Sequence, residues 1–185
     1  MIPDDVLVHK TIEGDVEAFN ELVSRHNARI YGLSVKMLGN VEDAEDATQE
    51  TFMQAYKSIH TFRFQSKFGT WLYQVAVNTC KQHLRKAKNQ EKFVQNYTEE
   101  AVIHGMTDKR QIPERQVVKT EQQAQVHAAI DLLPPKQREV VTLHYLHHLK
   151  YKEIAEILNC SVGTVGSRLN LAMKNLKRKL SRFQY

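Results

Sequence analysis

Asn78, Lys81, Gln82 and Arg85 stand at i, i+3, i+4 and i+7, a spacing that lines four polar side chains along one helix face. A stripe of Asn, Lys, Gln and Arg suits a nucleic acid, because it can touch base edges and phosphates together. Leu72, Ala76 and Cys80 mark a different, apolar side of the same segment. Just ahead, Phe62, Phe64, Phe68, Trp71 and Tyr73 interleave with Arg63 and Lys67. Exposed aromatics beside cations suit unstacked bases, each stack contributing about 1–3 kcal/mol. Phe64, inside a polar loop, is expected to be exposed and functional, whereas Trp71 and Tyr73 read at least as well as core.

The second chemical signal lies in the last fifty residues. Tyr151 to Leu158, then Asn159-Cys160-Ser161, then Val162 to Leu169 fits a helix-turn-helix. Ala155 is small where two helices would cross, and Asn159 tolerates the left-handed backbone of a tight turn. Ile154, Leu158, Val165 and Leu169 form the apolar seam. The second helix then offers Thr164, Ser167, Arg168, Lys174, Lys177 and Arg178 outward, where its N-terminal residues can meet base edges in a major groove.

The rest of the chain reads as helices that would hold these groups. Asp15 caps a helix whose Ala18, Phe19, Leu22, Val23, Ile30, Leu33 and Met37 recur at helical spacing until Gly39-Asn40. A second helix is expected from Val41 to Ile59, and Thr61 to Gly69 is a loop. Thr70 can cap a third, Trp71 to about Lys88. Glu121 to Leu133, Lys136 to His148, Tyr151 to Leu158 and Val162 to Leu180 follow, with Pro134-Pro135 punctuating them. Residues 91–120 are polar and weakly periodic and read as a flexible linker that leaves two domains, 1–90 and 121–185, without a fixed arrangement. The expected fold is all-α: two small helical domains, the second a helix-turn-helix.

Charge is partitioned along the 185 residues. Residues 1–50 carry 4 basic and 11 acidic side chains, whereas residues 51–90 carry 7 basic and none acidic. Residues 136–185 carry 10 basic against 3 acidic. Two basic blocks imply two contacts with a polyanion, and an acidic block that it would repel is expected to face a protein. No 18-residue apolar span and no signal peptide are present, so a cytoplasmic protein without membrane insertion is expected. Two cysteines outside any CxxC exclude a disulfide framework and a cysteine zinc finger. His144 and His148 lie one turn apart but lack a third ligand at suitable spacing, so no metal is expected. No phosphate loop, HExxH or nucleophile elbow points to an enzyme or a cofactor.

Four segments together resemble the extracytoplasmic-function (ECF) sigma factors, small two-domain specificity subunits of bacterial RNA polymerase. They are Asp43 to Phe52, Phe68 to Asn78, Leu133 to Val140, and Tyr151 to Leu169. The resemblance implies that residues 1–90 correspond to sigma region 2 and 121–185 to sigma region 4. It implies that Asp46, Gln49, Glu50 and Met53 dock on the clamp of the polymerase largest subunit. Arg63, Phe64 and Lys67 with Asn78, Lys81, Gln82 and Arg85 would read and open the minus-ten promoter element. Thr164, Ser167, Arg168, Asn170 and Lys174 would read the minus-thirty-five element, while region 4 packs on the flap of the second subunit. The linker would thread toward the RNA exit path. An anti-sigma partner and transcription of a stress or envelope regulon are further implications. Gly166 and Leu171 depart from the pattern, standing where many members carry basic residues, which implies an altered minus-thirty-five readout. The alternative is a stand-alone helix-turn-helix regulator.

Overall fold

The computed structural model describes residues 2–97 and 121–181. Its first element, α1 (Asp4–Ile12), is not among the helices expected above. Pro3 precedes it, Asp4 and Asp5 complement the dipole of its first turn, and Leu7, Val8 and Thr11 are buried. Asp4 fastens it to the next helix: its carboxylate takes His26 Nε2 at 2.8 Å and Arg25 Nη1 at 3.0 Å.

The next two helices follow from their caps. In α2 (Val16–Leu38) the Asp15 side chain accepts from the Ala18 N–H, and Gly39, at φ 72°, turns the chain out. In α3 (Val41–Ser58) the Asn40 side chain accepts from the Glu42 N–H. Their buried faces, with Leu22, Ile30 and Leu33 against Ala44, Ala47 and Ala55, let the helices pack closely. A 3-10 turn at Ile59–Thr61 leads into the loop before α4 (Phe68–Tyr97). Here the structure corrects the cap: the Lys67 carbonyl already accepts from the Thr70 and Trp71 N–H groups, so Thr70 lies inside the first turn and is buried. The helix also continues nine residues past Lys88, to Tyr97. The remainder of the expected linker lies outside the described residues.

The C-terminal half is α5 (Glu121–Asp131), α6 (Pro135–Val141), α7 (Tyr151–Ile157) and α8 (Val162–Leu180). Pro135 occupies the first turn of α6, where its missing N–H costs nothing. The single helix expected from Lys136 to His148 is broken: a π turn at Thr142–Leu146 follows α6, and His148 ends it at φ 56°. Among the described residues there is no strand, and no helix is long and apolar enough to cross a membrane.

The two halves pack together, which differs from the expectation of no fixed arrangement. Lys36 of α2 binds both carboxylate oxygens of Asp131 at 3.0 and 3.1 Å. The Tyr73 hydroxyl of α4 lies 2.9 Å from Nδ1 of His147. Burial pushes Tyr73 up to about 12 and His147 down to about 4, so the pair is a neutral phenol donating to a neutral imidazole.

Candidate nucleic-acid interface

The stripe on α4 forms as its spacing demands. Asn78, Gln82 and Arg85 are exposed, while Leu72, Ala76 and Cys80 are buried on another face. Cys80 is a core residue whose thiol burial pushes up to about 11. Lys81 is different: its ammonium lies 3.5 Å from Glu139 of α6. The carboxylate of the C-terminal half sits where a phosphate oxygen would be useful to that lysine.

The loop between the 3-10 turn and α4 carries the second set. Arg63 is exposed, and Lys67 is 86% exposed with Glu153 of α7 4.0 Å away. Phe62 and Phe68 are buried and Trp71 half-buried, forming an aromatic base to the loop, while Tyr73 is buried at the domain contact. Phe64 remains 38% exposed and holds a left-handed backbone at φ 55°. A bulky side chain rarely adopts that conformation, and such strain collects at ligand clamps.

The helix-turn-helix is α7, the turn at Asn159 and α8. Asn159 has φ 47°, the left-handed geometry its side chain tolerates. Ile154, Val165 and Leu169 are buried in the seam, Leu158 is partly so, and Ala155 sits at the crossing. The Ser161 hydroxyl caps α8 by accepting from the Thr164 N–H at 3.0 Å. Ser167, Asn170 and Lys174 are exposed, and Thr164 and Arg168 half-exposed. Leu171 is exposed among them.

Gly166 has no steric reason to be glycine. A Cβ there would meet only the Tyr151 ring, at 3.8 Å, an ordinary contact. Gly166→Ala is therefore expected to stabilise the protein by about 1 kcal/mol, the helix-propensity difference, as read from urea unfolding.

A separate face lies on α2 and α3. Asp46, Gln49 and Met53 are exposed along α3. Beside them is an apolar groove of about 520 Å3, lined by Val16, Phe19, Val23, Gln49, Phe52 and Met53 among others. Glu42, Asp43, Glu45 and Asp46 are exposed on the first turns of α3 and make them acidic. Glu50 turns toward α4 instead. It accepts from His83 at 2.8 Å and from Gln54, and the His83 hydrogen bond holds its carboxyl below the usual range.

Sequence reasoning missed His9, whose ring stacks on Phe64. The Pro3-Asp4-Asp5 helix start was the available signal. It also missed Glu139 and Glu153 as partners of the two lysines, which nothing local in the sequence marks. In the C-terminal half, His144 Nδ1 meets the Leu149 carbonyl at 2.9 Å, and His147 meets Tyr73.

The Sigma-70 region 2 family profile matches residues 22–90, and that of Sigma-70, region 4 matches residues 123–176. The chain is 36% identical to the ECF RNA polymerase sigma-E factor of Haemophilus influenzae over 97% of its length and 96% of the relative's. It is 37% identical to the ECF RNA polymerase sigma factor SigW of Bacillus subtilis, over 95% of this chain and 98% of the other. Among solved structures, the fold resembles the sigma factor RpoE of Bartonella quintana in complex with the anti-sigma factor NepR. The TM-score is 0.72 at 22% identity, over 88% of this chain and 96% of that one. It also resembles CnrH in complex with the cytosolic domain of CnrY, with a TM-score of 0.70 at 22% identity over 97% of both chains.

Proposed function

The chain belongs to the ECF RNA polymerase sigma factor family, and on that premise we propose how its surfaces divide the work of initiation. Residues 1–90 act as region 2 and 121–185 as region 4, joined by 91–120. The groove between α2 and α3, with Asp46, Gln49 and Met53, takes the clamp of the polymerase largest subunit; its apolar floor and the acidic first turns of α3 fit a basic, amphipathic helical partner. Glu50 holds α3 on α4 through His83 and supports that face from within. The C-terminal domain packs on the flap of the second subunit.

Arg63, Phe64 and Lys67 with Asn78, Lys81, Gln82 and Arg85 read and open the minus-ten element. Thr164, Ser167, Arg168, Asn170 and Lys174 read the minus-thirty-five element as duplex. The absence of a basic side chain at Gly166 and Leu171 shifts more of that readout to Arg168 and Lys174. The role is binding and strand opening in the cytoplasm, without a catalytic residue, in service of a stress or envelope regulon. An anti-sigma protein would compete for the same polymerase-facing surfaces, and a competition assay against core polymerase decides that point.

The observation that carries this reading is the coincidence of an exposed amide-and-cation stripe on α4 with an exposed aromatic in the loop before it. A stand-alone regulator uses the helix-turn-helix and leaves that N-terminal site, and the region 2 match, without a purpose. Asn78→Ala with Arg85→Ala is expected to lower open-complex yield about tenfold in single-round transcription with core polymerase, since a base-edge contact contributes about 1–3 kcal/mol. Affinity for core polymerase should stay unchanged. An undiminished yield from the double variant would remove the stripe from the minus-ten site.

A further inference from the structure

The His9 and Phe64 rings lie parallel, 4.3 Å between centroids with 10° between planes. That is the geometry a nucleobase makes on an aromatic side chain. The contact joins elements 55 positions apart, and both partners are exposed. His9 does not arrive there on a loose tail. Its helix α1 is fixed to α2 by Asp4 with His26 and Arg25, and by Arg25 Nη1 donating to the Ile2 carbonyl at 2.6 Å. Phe64 is held out by a left-handed backbone that costs energy for a phenylalanine. Phe62, buried, lies 4.8 Å from Phe64 with the ring planes tilted by 59°. The imidazole covers one flat face of Phe64, and a base that stacks on that face must displace it.

We propose that His9 is a gate on the minus-ten loop: its ring fills the stacking place on Phe64 that an unpaired promoter base takes, and the base must displace it. The inference rests on the reading of Phe64 as a base-stacking residue and adds to it a residue from the N-terminal helix. An imidazole covers less of the phenyl ring than a purine or pyrimidine does, so the exchange favours the base while lowering its net gain. Arg63 and Lys67, exposed on either side of Phe64, supply the charge that brings the strand to the gate. His9 thereby sets how readily an unpaired base is captured without contacting the duplex.

The test uses holoenzyme reconstituted from core polymerase and the full chain. The probe is a fluorescein-labelled single-stranded 12-mer of mixed sequence, with core polymerase alone as background. His9→Ala should tighten binding about two- to tenfold, the strength of one aromatic stack. His9→Phe, a larger cap, should weaken it. Phe64→Ala should weaken it about fivefold or more, and adding His9→Ala to Phe64→Ala should change nothing further. His9 is exposed, so its variants fold. If Phe64→Ala weakens binding while His9→Ala leaves it unchanged or also weakens it, the gate is wrong, and a loss would place the base on the outer face of the imidazole. If Phe64→Ala has no effect, the base-stacking reading itself falls and takes the gate with it.

Discussion

Met53→Glu is expected to weaken binding of the chain to core RNA polymerase about a hundredfold while leaving its thermal unfolding in place. Met53 is 59% exposed beside an apolar groove, so its side chain contributes little to the fold. On docking it would be buried among Phe52, Phe19 and Val23, and burying a methionine contributes about 1.5–3 kcal/mol. A glutamate forfeits that gain and carries an unpaired carboxylate into the same apolar place, adding a penalty of about 1–3 kcal/mol or more. A loss of about 3 kcal/mol corresponds to about two decades in affinity. Met53→Ala should lose only the burial, roughly tenfold. Titration of labelled core polymerase reads both. Unchanged affinity for Met53→Glu would move the docking face off α3 and leave the groove to another partner.

The parts of this architecture that were legible in the sequence are those decided by short-range chemistry. The helix-turn-helix is local: a small residue at a crossing, an asparagine in a left-handed turn and a seam at helical spacing suffice, and Asn159, Ile154, Val165 and Leu169 all take those roles. The α4 stripe was readable for the same reason. The start of α4 was not, because the Lys67 backbone accepts the first helical bonds and no side chain announces it. The helix α1 was obscured because only Leu7, Val8 and Thr11 face inward, too few to print a period. Its anchors, His26 and Arg25, lie more than twenty residues away. The π turn widens the helix after Val141 so that His147 reaches Tyr73, a demand set by tertiary packing. Glu50 sits on the same helical row as Asp46 and Met53, yet His83 draws it to the other side. The family resemblance, not spacing, singled out these residues; a partner 33 positions away decided the orientation of Glu50.

The packing of the two halves leads to the largest effect. Elements centred near minus ten and minus thirty-five are about 25 base pairs apart, about 85 Å of duplex at 3.4 Å per pair. A single packed globule of this chain length has a radius of gyration of about 16 Å. In the structure α4 and the π turn share the Tyr73–His147 hydrogen bond, and Glu153 of α7 approaches Lys67. On the proposed assignment the two reading surfaces are thus held in one packed body, too close to reach both elements at once. Glu139 moreover occupies Lys81, one of the residues proposed for the minus-ten element. The halves must separate before both elements are read, and Lys36–Asp131 with Tyr73–His147 are the contacts to be broken. Lys36→Cys with Asp131→Cys, in a Cys160→Ser background and joined by a short bismaleimide, is therefore expected to abolish transcription from a promoter that needs both elements. Core binding should survive, because α2 and α4 carry the contacts to the C-terminal half while the docking groove opens between α2 and α3. The same double variant without the cross-linker should transcribe at least as well as the unaltered chain, having lost an ion pair that only the packed arrangement makes. Full transcription by the cross-linked protein would mean that this packing persists on the promoter, and that one of the two elements is read by residues other than those on α4 and α8.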